Sequence, residues 1–368
     1  MSRKHIVFTV TNALNGDQRM QRICSSLVEA GFRVTLVGWE YPDSKPLTEQ
    51  PFEQVRLPMR FNKGKLRYAE YNWKLWKFLP SLAPDIIGAI DLDTIIPCLK
   101  VAQRLKVPIS YDAHEYFTEL EEIVRRPFVH WVWRKVEAYA VPKIPVGYAV
   151  SDSYVRLFKE KYGVDYTVIR NATVKRDRLP KEASRVPIIL YQGAVNEGRA
   201  LDQVILAMKE VDAQLVICGV GDLYESLQAF TREQGLTEKV VFKGFVAPPD
   251  LRKITAQAHI GLTLFETRGK SNYYSLANRF FDYMHAGVPQ VCNAYPEYAQ
   301  INATFNLATL IAEPRATLIA EAINDLLKDE ALYAQRSAGA LAARERYNWQ
   351  EEEKKLWRIY SEIATKNN

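Results

Sequence analysis

SNYYSLANRFFDYMHAGVPQVC, residues 271–292, decides how the rest of the chain is read. A polar Ser-Asn-Tyr-Tyr-Ser loop leads into Ala277–His285, where Phe280, Phe281 and Met284 fall at helical spacing and make an apolar stripe. Gly287 stops this helix and Pro289 prevents its continuation. Asp282 lies on the same helix, and a carboxylate placed there is costly to bury without partners. The loop presents backbone amides and the positive end of a helix dipole, with Arg279 in the first turn, which outlines an anion site. An ordinary amphipathic helix with Asp282 on its wet edge fits the same letters.

Outward from this stretch, a length of 368 residues fits two domains with separate cores. The 48% hydrophobic and 25% charged residues are those of a globular protein, and no apolar run approaches a membrane span. Cys24, Cys98, Cys218 and Cys292 are far apart, with no CxxC pair, and read as buried thiols of a reducing compartment. Met1-Ser-Arg-Lys runs directly into an apolar strand, so no leader peptide is expected and the expected location is cytoplasmic. Charge is uneven: residues 1–170 hold 25 Lys and Arg against 19 Asp and Glu, whereas later residues hold 24 of each. The surplus points the first half towards an anionic partner, nucleic acid or a membrane surface.

Strand and helix patterns alternate along the chain. His5–Val10, Asp17–Ala30 and Arg33–Trp39 make one βαβ unit, and residues 40–59, with four prolines, read as irregular. Asp85–Ile90, Thr94–Leu105 and Pro108–Asp112 make another; Gly147–Ser151, Ser153–Tyr162 and Tyr166–Ile169 close the first half. Residues 171–187 carry seven charges and little apolar pattern, as a linker does. Strands at Ile188–Gln192, Gln214–Cys218, Val240–Phe242, Ile260–Leu264 and Gln290–Cys292 follow, with a helix at Asp202–Glu210 and a last one at Trp349–Thr365. The expected organisation is a domain at 1–170, a linker at 171–187, a second domain at 188–345 and a terminal helix within 346–368. Two doubly wound domains of this kind leave a cleft at the carboxyl ends of their sheets, where ligands bind.

Several loops carry chemistry. Gln192-Gly193-Ala-Val-Asn-Glu-Gly198-Arg199 joins a strand to a helix, where glycine admits a phosphate and arginine adds a bidentate donor. Cys218-Gly219-Val-Gly221-Asp222 also follows a strand, but Tyr224 at the third glycine position rules out a dinucleotide fingerprint. Tyr111-Asp112-Ala113-His114-Glu115 ends a strand, so that His114 either donates to a ligand or caps the next helix. Asp91-Leu92-Asp93 invites a metal reading, yet no further ligand clusters with it and Asp93 is better placed as an N-cap. Arg60–Leu79 interleaves six basic residues with six aromatics, and residues 125–135 repeat the mixture, which suits an anionic lipid interface. A core face with a charged exterior gives the same composition, and no nucleic-acid-binding fold is evident.

NRFFDYMHAGVP resembles the E-A-M-A-x-G-x-P segment of retaining glycosyltransferases of family 4 with the GT-B fold, in the variant that begins S-L-x-N-[KR]. The resemblance implies an α/β fold of two Rossmann-like parallel-sheet domains and a last helix that crosses back to the first domain. In that family two acids eight positions apart hold the sugar nucleotide. Asp282 matches the second, which takes the ribose hydroxyls, whereas Tyr274 stands where the first is usually Glu. Gly193 and Arg199 match the glycine and lysine of the family's G-R-L-x-x-x-K-G loop, and Ala194 replaces its arginine, a loss that Arg279 could restore. Gly219 matches the loop beside the base, and amides near Tyr274, Ser275 and Leu276 would meet the diphosphate. His114, matching D-x-H-E, would reach the donor sugar as a neutral imidazole; Gly16 and Asp17 fall on the acceptor-side loop.

The implied protein is a metal-independent, retaining glycosyltransferase, with His114 and Arg199 as catalytic residues and a nucleotide diphosphate-sugar as co-substrate, without a further cofactor. Its implied acceptor is a glycan or a lipid-linked sugar in surface polysaccharide or glycoconjugate synthesis. Peripheral attachment to an anionic inner membrane face through 60–79 and 125–135 is expected, and nucleic acid is not. The missing acid and arginine leave a catalytically silent partner subunit open as an alternative, and a sugar-nucleotide epimerase of the same fold is another.

Overall fold

The computed structural model of the chain describes residues 3–182, 185–266 and 270–365. Ala183 and Ser184 of the expected linker, and residues 366–368 of the expected terminal segment, lie outside the described residues. The chain divides into two compact units, Met1–Asn171 with Glu352–Asn368, and Ala172–Glu351.

The first unit is built on a wholly parallel sheet. Its strands are β1 (His5–Thr9), β2 (Arg33–Glu40), β3 (Glu53–Pro58), β4 (Ile86–Ile90), β5 (Ile109–Ala113), β6 (Val146–Ala149) and β7 (Thr167–Val168). They lie in the order β3-β2-β1-β4-β5-β6-β7. Order reverses between β1 and β4, where a doubly wound sheet opens a crevice at its carboxyl ends. Strand β3 corrects the reading of 40–59 as irregular: it is an edge strand, and Pro58 ends it where no ladder donor is required. The helix Trp349–Thr365 completes this unit. Leu356 and Tyr360 are buried, Tyr360 Oη lies 2.8 Å from Ser110 Oγ, and Trp357 Nε1 donates to the Ser26 carbonyl at 2.8 Å.

The second unit holds β8 (Ile188–Gln192), β9 (Gln214–Cys218), β10 (Val240–Gly244), β11 (Ile260–Thr263), β12 (Gln290–Asn293) and β13 (Ala308–Ile311), again all parallel, in the order β10-β9-β8-β11-β12-β13. Order reverses between β8 and β11. The pivotal helix runs Asn278–Ala286, with Gly287 in the left-handed conformation at its end (φ 73°). Phe280, Phe281 and Met284 are fully buried, as their spacing implied. Tyr283, on the same helix, lies over the sheet and donates to the Leu190 carbonyl at 2.8 Å. It can do so because residue 261 in β11 is glycine; a β-carbon there would overlap the Tyr283 ring. Ahead of this helix the expected loop is partly helical: Lys270–Tyr274 is a short helix, and only Ser275–Ala277 breaks it from the next.

Candidate functional site

In the second unit the candidate residues gather where β8 and β11 end side by side. Gly193 leaves β8 with φ 135° and Gly219 leaves β9 with φ 150°, conformations that side chains with a β-carbon rarely adopt. The two backbones touch so closely that a β-carbon on Gly219 would fall on the Gly193 carbonyl. This brings bare backbone to the strand ends, as a phosphate-admitting loop requires.

Two arginines converge beside it. The guanidinium carbons of Arg199 and Arg279 each lie 4.7 Å from the centre of the Phe265 ring, and Arg279 is also 4.8 Å from the Tyr191 ring. Arg279 Nη1 reaches the space over Gly193, 3.2 Å from where a β-carbon would sit, and Nη2 donates to the Leu264 carbonyl at 3.3 Å. Arg279 is only 7% exposed, and its Nε has no hydrogen-bond partner among the described residues. Two cations held by aromatic faces at one strand end make a strongly positive, preorganised place for an anion.

Asp282 sits one helical turn after Arg279. Its carboxylate accepts from Thr173 Oγ1 at 2.6 Å and from Gln192 Nε2 at 2.8 Å, and Gln192 in turn accepts from Thr255 Oγ1 at 2.7 Å. Asp282 is half-buried, and these two neutral donors orient its carboxylate. Gln192 immediately precedes Gly193; the acid and the arginines therefore meet around the same turn of chain. Tyr274 is half-buried with its ring 4.8 Å from that of Tyr273. Ser275 turns inward, its amide donating to the Asn272 carbonyl at 3.4 Å and its hydroxyl at 3.1 Å. Leu276 packs in the core cluster that contains Phe265.

In the first unit His114 belongs to a charged network at the ends of β4 and β5. Its Nε2 lies 2.8 Å from Asp112 Oδ2 and its Nδ1 4.0 Å from Asp91 Oδ2. Arg19, which sequence reasoning did not single out, donates to both oxygens of Asp112 at 3.2 and 2.8 Å. Burial opposes charge on His114, but Asp112, with Asp91 behind it, outweighs burial and lifts the imidazole to about 9. The shift runs against the neutral imidazole expected from the sequence and favours the protonated ring beside Asp112. Burial raises Asp91 to about 8 and Asp93 to about 6, while Arg19 and His114 overcome burial and hold Asp112 below the usual carboxylate range.

Asp91 Oδ1 accepts the amides of His114 and Glu115 at 2.9 and 3.4 Å, which fixes the turn that carries the histidine. Asp93 is not the N-cap expected of it. The cap position is Thr94, and Asp93 accepts the hydroxyl of Thr11 instead. Gly16 is exposed, and Asp17 caps the helix Gln18–Glu29, accepting the Met20 amide at 2.9 Å and Asn12 Nδ2 at 2.8 Å. Among the described residues no group of three or more His, Cys, Asp or Glu is arranged to hold a metal ion.

Both halves match family models: residues 17–173 that of Glycosyltransferase Family 4, and residues 175–343 that of Glycosyl transferases group 1. No curated protein sequence matches the chain. Among solved structures it is similar to the sucrose-phosphate synthase of Thermosynechococcus elongatus, at 15% identity and a TM-score of 0.85, over 98% of this chain and 99% of that one. It is also similar to Anabaena HepE in complex with UDP-glucose, at 15% identity and 0.75, over 97% and 99%. A third likeness is to WaaG, a glycosyltransferase involved in lipopolysaccharide biosynthesis, at 16% and 0.73, over 96% and 99%. At these identities the likeness is one of fold.

Proposed function

The chain belongs to the glycosyltransferases of the GT-B fold, and on that premise we propose that it moves a sugar from a nucleotide diphosphate-sugar to a glycan or lipid-linked acceptor with retention of configuration. The observation that carries this reading is the arginine pair on Phe265 beside Gly193. As the bond between sugar and diphosphate breaks, negative charge builds on the departing phosphate. Arg199 and Arg279, fixed before the reaction, stabilise that charge without reorganising. Arg279 thereby supplies the cation that Ala194 does not, and no metal is needed to balance the diphosphate. Asp282, oriented by Thr173 and Gln192, takes the ribose hydroxyls. Gly219 borders the base. The acceptor attacks on the face from which the diphosphate leaves.

His114 is assigned to the donor sugar. With Nε2 engaged by Asp112, the proton it offers is the one on Nδ1, carried by a charged ring. The acceptor is placed at an anionic membrane surface, as a step of surface glycan or glycoconjugate synthesis in the cytoplasm. No described helix is long and apolar enough to cross a membrane, so the proposed attachment is peripheral.

A thermal-shift and turnover screen against UDP-, GDP- and dTDP-sugars tests the reading. Stabilisation by one base, with slow release of free sugar, is expected. Arg279→Ala should weaken nucleotide diphosphate binding by about 1.5–3 kcal/mol, the worth of hydrogen bonds to a charged group. Binding without any turnover would make the chain a silent subunit, and interconversion of the donor without an acceptor would make it an epimerase.

A further inference from the structure

The helices Gly64–Phe78 and Pro127–Ala140 of the first unit turn large apolar side chains to solvent. Trp73 is 52% exposed, Phe128 65% and Trp131 56%. Burying these groups would be favourable, yet each is left outside, and Trp73 and Phe128 are flanked by cations. Lys77 Nζ is 3.8 Å from the Trp73 ring centre and Lys65 Nζ 5.4 Å from that of Phe128. Phe128 and Trp131 stack on each other at 6.1 Å, and Tyr68 meets Trp133 edge-on at 6.3 Å, so the two helices present one continuous face.

Beside that face, between the helices Pro127–Ala140 and Asp152–Tyr162, lies a groove of about 510 Å³. Pro127, Trp131 and Ala138 give it apolar walls, while His130, Arg134 and Lys135 line it with basic groups. Lys161 also lines it, but its charge is met by buried Glu137, and His130 faces Glu119 at 3.7 Å. Arg134 and Lys135 have no acidic partner among the described residues. Two unbalanced cations beside an apolar wall match a phosphate that is itself attached to apolar chains. A free phosphate would leave most of the groove and the exposed tryptophan unused.

We propose that this groove is a headgroup site for anionic phospholipid, with Arg134 and Lys135 on the phosphate and Trp131 and Phe128 seated among the acyl chains. The inference deepens the proposed membrane-side acceptor by naming the groups that dock the enzyme. Each cation near a charged lipid surface contributes about 1 kcal/mol, or about fivefold, so removal of both should weaken binding about thirtyfold.

Sedimentation of the full chain with vesicles of phosphatidylcholine, with and without phosphatidylglycerol, tests it. Wild type should pellet only with the mixed vesicles. Arg134→Ala with Lys135→Ala should need about thirty times more lipid, and Trp131→Ala should also bind less. All these side chains are solvent-facing, and nucleotide diphosphate binding by the same variants should be unchanged, which shows that they fold and separates this test from that of the transferase reading. Wild type that ignores phosphatidylglycerol overturns the inference. So does displacement from the vesicles by inorganic phosphate at an equal phosphate concentration, or a Trp131-dependent dimer in solution.

Discussion

Raising the pH should unfasten the network around His114, by an amount the structure sets. The imidazole lies at about 9 in the native protein against an ordinary value of 6.5. A raised value on a basic group contributes stability that is complete below pH 6.5 and disappears as pH climbs through 9. The gap corresponds to about 3 kcal/mol, at 1.36 kcal/mol for each pH unit over which the native state holds one extra proton. The perturbation is His114→Gln, which keeps a polar side chain beside Asp112 and removes the titration. Unfolding by urea, followed from pH 6.5 to 9.5, should show wild type losing about 3 kcal/mol relative to the variant across that window. Asp91 and Asp93, raised by burial to about 8 and about 6, also lose stability as pH rises, but both proteins contain them. The difference between the two profiles therefore carries the imidazole together with its pull on Asp91, Asp93 and Asp112. A ring-proton titration by NMR reads the imidazole alone. Parallel urea profiles, or a His114 resonance that titrates near 6.5, would refute the reasoning.

Three other outcomes follow from particular contacts. Gly261→Ala forces a methyl group into the Tyr283 ring and should cost about 1–3 kcal/mol in a thermal or urea melt, the usual penalty of overpacking. Asp282→Asn leaves one acceptor oxygen for two donors, Thr173 and Gln192; stability should drop by about 1–3 kcal/mol, and calorimetry should show weaker nucleotide binding as well. Tyr360→Phe removes a buried hydroxyl pair with Ser110 and should lower the melting free energy by about 1 kcal/mol without altering donor affinity.

Much of this architecture could be read before any coordinates. Apolar, β-rich runs marked β1, β8, β9 and β12 to within a residue or two, because strands buried on both faces carry continuous hydrophobic sequence. Strand β3 escaped because an edge strand keeps an exposed face and lies among prolines. Arg279 was legible from its place at a helix start, but its partners were not. Tyr191 and Phe265 are brought to it only by the pairing of β8 with β11, and an aromatic–cation contact leaves no spacing in the sequence. The Arg19–Asp112 pair, 93 residues apart, is silent for the same reason. Asp93 misled because Asp-Thr at a helix start offers two neighbouring cap residues, and only the fold brings Thr11 to one of them.

The chain leaves the first unit after Asn171 and returns to it at Glu352, where the Glu352 carboxylate accepts the Arg170 amide at 3.0 Å. A growing polypeptide must therefore emerge past residue 360 before Tyr360 can close over Phe8 and Ser110. Until then the N-terminal sheet waits with one apolar flank bare, while the later-made unit already has all its strands. Order of synthesis and order of completion are reversed, and a chain cut before Glu352 would leave the half that was made first unfinished.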